Sequence, residues 1–281
     1  MVSLENVSAL SAGLWVAGGS TAIVWVLSLV TADQSWVDRI WSIIPVVYLW
    51  IFAGSAGLAD TRLDVMAVLV TLWGARLTFN FARKGGYARG GEDYRWAVLR
   101  GRMTNWQFQL FNLFFISAYQ NALLFAITLP AWTAASHRGG FGLLDALATV
   151  VFLVLLAGET LADQQQWSFH QRKKAESDAG RPFGVGFLRT GFFRYSRHPN
   201  YFCEIAIWWV IFAFGAIAAG SLAQLTIIGA VLLTLLFIGS TVFTESISTS
   251  KYPEYANYRR RVSPIVPWFP RRVAERRISH A

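Results

Sequence analysis

Cysteine is almost absent from this sequence. The one thiol, Cys203, excludes an internal disulfide and a cysteine-rich metal site. Histidine is nearly as scarce, and His137, His170, His198 and His280 show no metal-ligand spacing. No G-x-G-x-x-G follows a strand pattern, so a Rossmann dinucleotide fold is excluded. Internal repeats, low-complexity tracts and long linkers are missing, and residues 1–281 read as one domain. The N-terminus lacks a basic leader region. The stretch LSAGLWVAGGSTAIVWVLSLV therefore reads as a retained helix and not as a cleaved signal. Acidic residues are also few, 16 against 25 Lys and Arg, which leaves a net charge of +9.

Apolar residues make up 54% of the chain, and they come in blocks of about 18 or more, the length that crosses a bilayer. The expected fold is all-α, a polytopic membrane protein with seven transmembrane helices near 9–30, 37–57, 64–82, 107–130, 143–163, 201–219 and 223–245. Pro45 falls inside the second span, where neighbouring helices can satisfy the freed carbonyl. The segments 83–106, 164–200 and 246–281 hold 21 of the 25 basic residues, and seven spans place them on one side. Positive loops mark the cytoplasmic face, so the N-terminus is expected outside and the C-terminus inside. The basic excess is thus mainly a topology signal, with membrane lipids as partners and no nucleic acid.

Polar residues inside the spans are costly unless they face protein or water. Glu159, Asp163, Gln166 and His170 lie at i, i+4, i+7 and i+11, one stripe on the fifth span. Asn105, Gln109, Asn112, Tyr119 and Gln120 form a looser stripe on the fourth, Arg76 and Asn80 are one turn apart on the third, and Asn200 and Glu204 on the sixth. Glu245 ends the seventh. Most lie at the cytoplasmic ends of their helices, which points to a polar cavity open to the cytosol. Its mixture of arginines, acids and amides suits NADPH or S-adenosylmethionine better than a bare ion. The loop KGGYARGGEDYRW, residues 84–96, is glycine-rich and basic but lacks P-loop spacing.

GFFRYSRHPNYFCE at 191–204, followed by two spans and EYANYRRRVSPIVPWFP at 254–270, resembles the C-terminal half of the steroid 5-alpha-reductase family, and most closely its bacterial membrane relatives. The likeness covers roughly residues 150–270. The entry Arg197, His198, Pro199 and Tyr201, and a tail of the Glu254, Tyr255, Tyr258 type, also occur in isoprenylcysteine carboxyl methyltransferases, which share the superfamily but vary at the Asn200 position. The resemblance implies that Asn200 contacts the nicotinamide end of NADPH and that Glu159 and Asp163 contact the adenosine half. Glu159 departs from the family's Asn at its position. Arg76, Arg95, Arg181, Arg194 and Arg197 become candidates for the cofactor's phosphates, and Tyr255 and Tyr258 for an aromatic wall beside it. Where the family has Tyr-x-x-Arg on span three, this chain reads Trp73-Gly-Ala-Arg76.

The implied reaction is hydride transfer from NADPH to a conjugated C=C bond of a hydrophobic, steroid- or lipid-like enone that enters from the bilayer. Residues 1–142 would form the substrate side and 143–281 the cofactor side, in the inner membrane of a bacterium, with the active site facing the cytoplasm. Asp38 is the candidate acid and could donate to the carbonyl only when protonated. An Asp38–Arg39 pair capping span two is the structural alternative. Tyr119 is the candidate hydroxyl, with Tyr48 and Tyr94 as alternatives for the missing tyrosine. A methyltransferase using S-adenosylmethionine is the second reading and a non-catalytic lipid-binding or transport protein the third. Substrate and oligomeric state are left open.

Overall fold

The computed structural model describes residues 4–271; His280 and the arginines beyond Arg271 lie outside the described residues. Those residues fold as helices joined by turns and loops, with one isolated bridge between Ser196 and Ser263. Seven helical stretches are long and apolar enough to cross a membrane, which marks an integral membrane protein.

The first span is α1, Leu4–Thr31. The second is broken into α2, Trp36–Trp41, and α3, Ile44–Ser55, and the break has a local cause. Pro45 lacks an N–H, so it sits in the first turn of α3, where that donor has no helical partner. The third span is α4, Thr61–Arg83, capped by the Asp60 side chain, which accepts from the Leu63 N–H. Helix α5, Tyr94–Arg100, lies in the following loop and is capped by Asp93.

The fourth span, Asn105–Ser136, is longer than expected and runs as four pieces. These are α6, Asn105–Phe111; a π-helical segment, Asn112–Tyr119; α7, Gln120–Ala126; and α8, Leu129–Ser136, which begins with Pro130 in its first turn. Helix α9, Leu143–Asp178, is 36 residues long, against the 21 expected. Its polar second half is rich in Gln, Lys, Glu and Ala, all good helix formers, so it continues about 54 Å in all, well beyond the hydrocarbon. Helices α10, Pro199–Ala219, and α11, Ile227–Lys251, are the last two spans, and α12, Tyr255–Arg261, follows.

The chain forms two compact units. One takes the chain up to Val154 together with Ile207–Leu235; the other takes Leu155–Ala206 and the chain from Leu236 on. The unit boundaries therefore fall within α9, α10 and α11.

In the first unit, α3 and α4 supply Tyr48, Leu49, Phe52, Leu63, Met66, Val70 and Trp73 to the core. Trp73 meets Trp208 of α10 edge to face, with ring centroids 4.9 Å apart. Glycines let backbones approach: a Cβ on Gly74 would lie 2.5 Å from the Ser42 carbonyl oxygen, and one on Gly215 2.7 Å from that of Pro130. Lipid offers no hydrophobic drive between helices, so such close approach carries much of their association.

A buried ion pair closes the same unit. Arg62 donates to both carboxylate oxygens of Asp145, at 2.6 and 2.9 Å, and to the Gly140 carbonyl at 3.0 Å. Asp145 also accepts from the Gly142 N–H. Both side chains are almost fully enclosed. Removing one partner strands the other charge, so Asp145→Ala is expected to cost about 3–5 kcal/mol. The paired change Arg62→Met with Asp145→Leu is expected to recover most of that loss, as measured by thermal unfolding in detergent.

Candidate functional site

The second unit holds twelve of the residues nominated from the sequence. Helix α9 carries Glu159, Asp163 and His170; the segment after it carries Arg181, Arg197 and His198; α10 carries Asn200, Tyr201 and Glu204; α11 ends near Glu245; and α12 carries Tyr255 and Tyr258.

Helices α9 and α10 run antiparallel here. A Cβ on Gly158 would touch Cys203 Sγ at 3.4 Å, and the Asn200 amide donates to Asp163 at 3.4 Å. That register puts Glu159 and Glu204 at the same level of the helix pair. Glu159, Asp163 and Glu204 are all buried. The pair thus presents three carboxyl groups and one amide over about two turns, a donor and acceptor set suited to hydroxyls, a carboxamide or an exocyclic amine. His170 is exposed and meets the Phe169 ring edge to face.

Glu245 is the hub of the unit. Arg197 donates to its two oxygens at 2.5 and 3.0 Å, His198 Nε2 lies 3.2 Å away, and Arg259 Nε lies at 3.1 Å. The rest of the Arg197 guanidinium donates to the backbone carbonyls of Arg259 and Val262. Arg197 is therefore a brace in this structure, with Nε and both terminal nitrogens engaged.

The chain beyond α12 returns along the start of α10. The N–H groups of Arg197 and His198 donate to Ser263 and Pro264, the Ser196 hydroxyl donates to Ile265, and the Trp268 N–H donates to Tyr195. The Tyr258 hydroxyl donates to Phe193 at 2.5 Å. Tyr255 and Tyr258 cluster with Phe187, Tyr252 and Val262, and His198 stacks on Tyr201 at 4.9 Å.

Arg181 and Arg95 also have carboxylate partners. Arg181 pairs with Glu176 near the end of α9, and this pairing raises its pKa. In the first unit Arg95 forks onto Asp93, at 3.0 and 2.9 Å. Also in that unit, buried Asn80 accepts from Arg83, and Arg76 is half-buried on α4.

Asp38 accepts from the Trp96 indole at 3.0 Å, and Val37 beside it packs with Trp96 and Ile116. Arg39 turns away from Asp38. It pairs with Asp33 at 2.6 Å and donates to the Gly86 carbonyl, so the Asp38–Arg39 cap expected from adjacency does not form. Successive helical residues point about 100° apart, which explains the divergence. Tyr119 stacks on Phe115 and donates to the Leu232 carbonyl at 3.4 Å. Sequence reasoning missed Trp96 as a partner of Asp38 and Arg259 as a partner of Glu245. Both lie in loop-like or basic segments whose charge was explained by topology alone.

The geometry defines an all-helical integral membrane protein in which conspicuous polar residues of the later helices collect in one compact unit. The chain belongs to a family described only as protein of unknown function, DUF1295, whose family model matches residues 24–262. A Schizosaccharomyces pombe protein named Uncharacterized protein C594.04c is 40% identical over 260 residues, covering 87% of this chain and 76% of that one. No solved structure matches the chain.

Two outcomes follow for the second unit. Glu245→Ala leaves the Arg197 charge buried and unpaired, so it is expected to cost about 3–5 kcal/mol and to free the tail to protease near Val262. Burial, and then the Glu245 charge, raise the Tyr255 phenol above its ordinary value of 10.0; burial, and then Tyr255, raise Tyr258. The folded unit therefore holds these protons more tightly than the unfolded chain. Its stability is complete below about pH 10 and falls as pH rises beyond it. Tyr255→Phe should flatten that alkaline loss when unfolding is followed by phenolate absorbance.

Proposed function

We propose that the chain is an NADPH-dependent membrane oxidoreductase that reduces the conjugated C=C bond of a hydrophobic, steroid- or lipid-like enone. The observation that carries this reading is the α9–α10 pair, where Asn200 and Asp163 meet while Glu159 and Glu204 are buried at neighbouring levels. The resemblance of residues 191–204 and 254–270 to steroid 5-alpha-reductases, and especially to their bacterial relatives, supports the same reading.

The donor set fits the uncharged parts of the cofactor. The Asn200 amide matches a carboxamide, and Asp163 and Glu159 match ribose hydroxyls or the adenine amine. Exposed Arg194, immediately before this site in the chain, is suited to a phosphate. When bound, the cofactor supplies hydride; the protein supplies position and charge stabilisation. On the substrate side, the Tyr48 hydroxyl is fully buried beside the Ser20 hydroxyl. A buried hydroxyl among apolar helices suits the oxygen of an enone, where it would stabilise charge that develops as the double bond is reduced. Asp38, held by Trp96, is the second candidate for that proton.

A specific observation favours a second reading, an S-adenosylmethionine-dependent methyltransferase. Arg95, Arg181 and Arg197 are each paired with a carboxylate, which lowers the number of cations ready for a cofactor's phosphates.

Thermal unfolding of the detergent-purified protein with NADPH, NADH or S-adenosylmethionine separates the two. A ligand at a hundredfold excess over its Kd stabilises by about 2.7 kcal/mol, so selective protection by NADPH is expected. Asn200→Ala and Asp163→Ala should remove that protection while the unliganded melting temperature holds. Tyr48→Phe should keep it and lower enone turnover. Protection by S-adenosylmethionine alone would overturn the reductase reading.

A further inference from the structure

The tail after α12 presents a feature that the cofactor reading does not use. Val266, Trp268 and Phe269 are 59%, 69% and 78% exposed, although they lie outside every membrane-spanning helix. They are held in place: the Trp268 N–H donates to Tyr195, Phe269 packs edge to face on Tyr195, and the Arg271 N–H donates to the Arg261 carbonyl. Phe192 and Tyr195, each 38% exposed, continue the apolar surface on the adjoining segment.

Charge surrounds this patch with one sign. Neither 179–203 nor 255–271 contains an acidic residue, while Arg189, Arg194, Arg260, Arg261 and Arg271 are all exposed. Depth follows from the backbone. The tail pairs with residues 195–198, and the membrane-spanning α10 starts at Pro199. Trp268 and Phe269 therefore stand at the level where the chain enters the bilayer. Aromatic residues favour that level, and exposed arginines there favour anionic headgroups.

We infer that residues 260–271 are an interfacial anchor, in which Trp268 and Phe269 insert among lipid headgroups and Arg260, Arg261 and Arg271 bind anionic phospholipid. The ligand is an anionic lipid surface. Binding holds the tail, and through Arg197 and Glu245 the start of α10, in register with the membrane.

The test uses the full chain in lipid nanodiscs, one copy per disc, with Cys203→Ala to clear the native thiol. An environment-sensitive fluorophore is placed at Phe269→Cys, with Trp268→Cys as a second site in case the first perturbs the Tyr195 contact. Ser177→Cys serves as the water-exposed control, because the end of α9 projects past the hydrocarbon. Nanodiscs of phosphatidylcholine with phosphatidylglycerol are compared with phosphatidylcholine alone, and quenching by headgroup-proximal nitroxide lipid is read. Quenching at 269 and 268 is expected to exceed that at 177 several-fold in the anionic discs and to weaken in the neutral ones and at high salt. The triple change R260Q/R261Q/R271Q should abolish the anionic-lipid dependence with the melting temperature unchanged. Equal quenching at 269, 268 and 177 overturns the proposal. So does quenching indifferent to lipid charge. None of these readouts involves a cofactor, so they stand apart from the reductase assignment.

Discussion

The second unit depends on one buried ion pair. Arg197 precedes α10 and Glu245 lies near the end of α11; each is nearly inaccessible to water, and neither charge is tolerable alone in such a place. Their bidentate contact fixes the start of one spanning helix against the end of another. The remaining guanidinium nitrogen then captures the Arg259 and Val262 carbonyls, and this sets the path of the tail. His198 and Arg259 complete the shell around Glu245. The aromatic cluster at Phe187, Tyr252, Tyr255 and Tyr258 and the bridge at Ser196 and Ser263 lie on segments that this contact holds together.

The first unit rests on a different balance. Its helices meet through close backbone approach at Gly74 and Gly215, an indole pair at Trp73 and Trp208, and the Arg62–Asp145 pair. Breaks at Pro45 and Pro130 and the π-helical segment at 112–119 interrupt its spans. Such interruptions re-aim side chains inside a helix, and π-helical turns are frequent at functional sites. Trp73 shows how packing constrains chemistry. It stands where the resemblance to the reductases implies a tyrosine, and it is wholly buried against another tryptophan, so under the proposed reading the hydroxyl comes from elsewhere. Tyr48 is one buried candidate, and Tyr119 is already engaged with the Leu232 carbonyl.

The rival cofactors divide along the same physical line. Carboxylates and amides on α9 and α10 match the sugar and base portions that both cofactors share. The phosphates of NADPH need free cations, and three arginines nominated for that task are paired within the protein. What supports the proposed reductase reading is therefore the pattern around Asn200, more than the number of positive charges.

The sequence alone determined the number and rough position of the spans, because hydrocarbon thickness imposes a length that composition reveals directly. It also marked the α9 stripe and the Asn200–Glu204 turn, since a helix repeat is local and polar residues inside apolar runs stand out. It did not determine where charges find partners. Arg197 to Glu245, Arg62 to Asp145 and Arg39 to Asp33 are separated by 48, 83 and 6 residues, and only packing decides which oxygen each guanidinium reaches. The same holds for the exposed Trp268–Phe269 edge, held by Tyr195. The exposed edge depends on contacts between distant segments, where geometry outweighs local propensity.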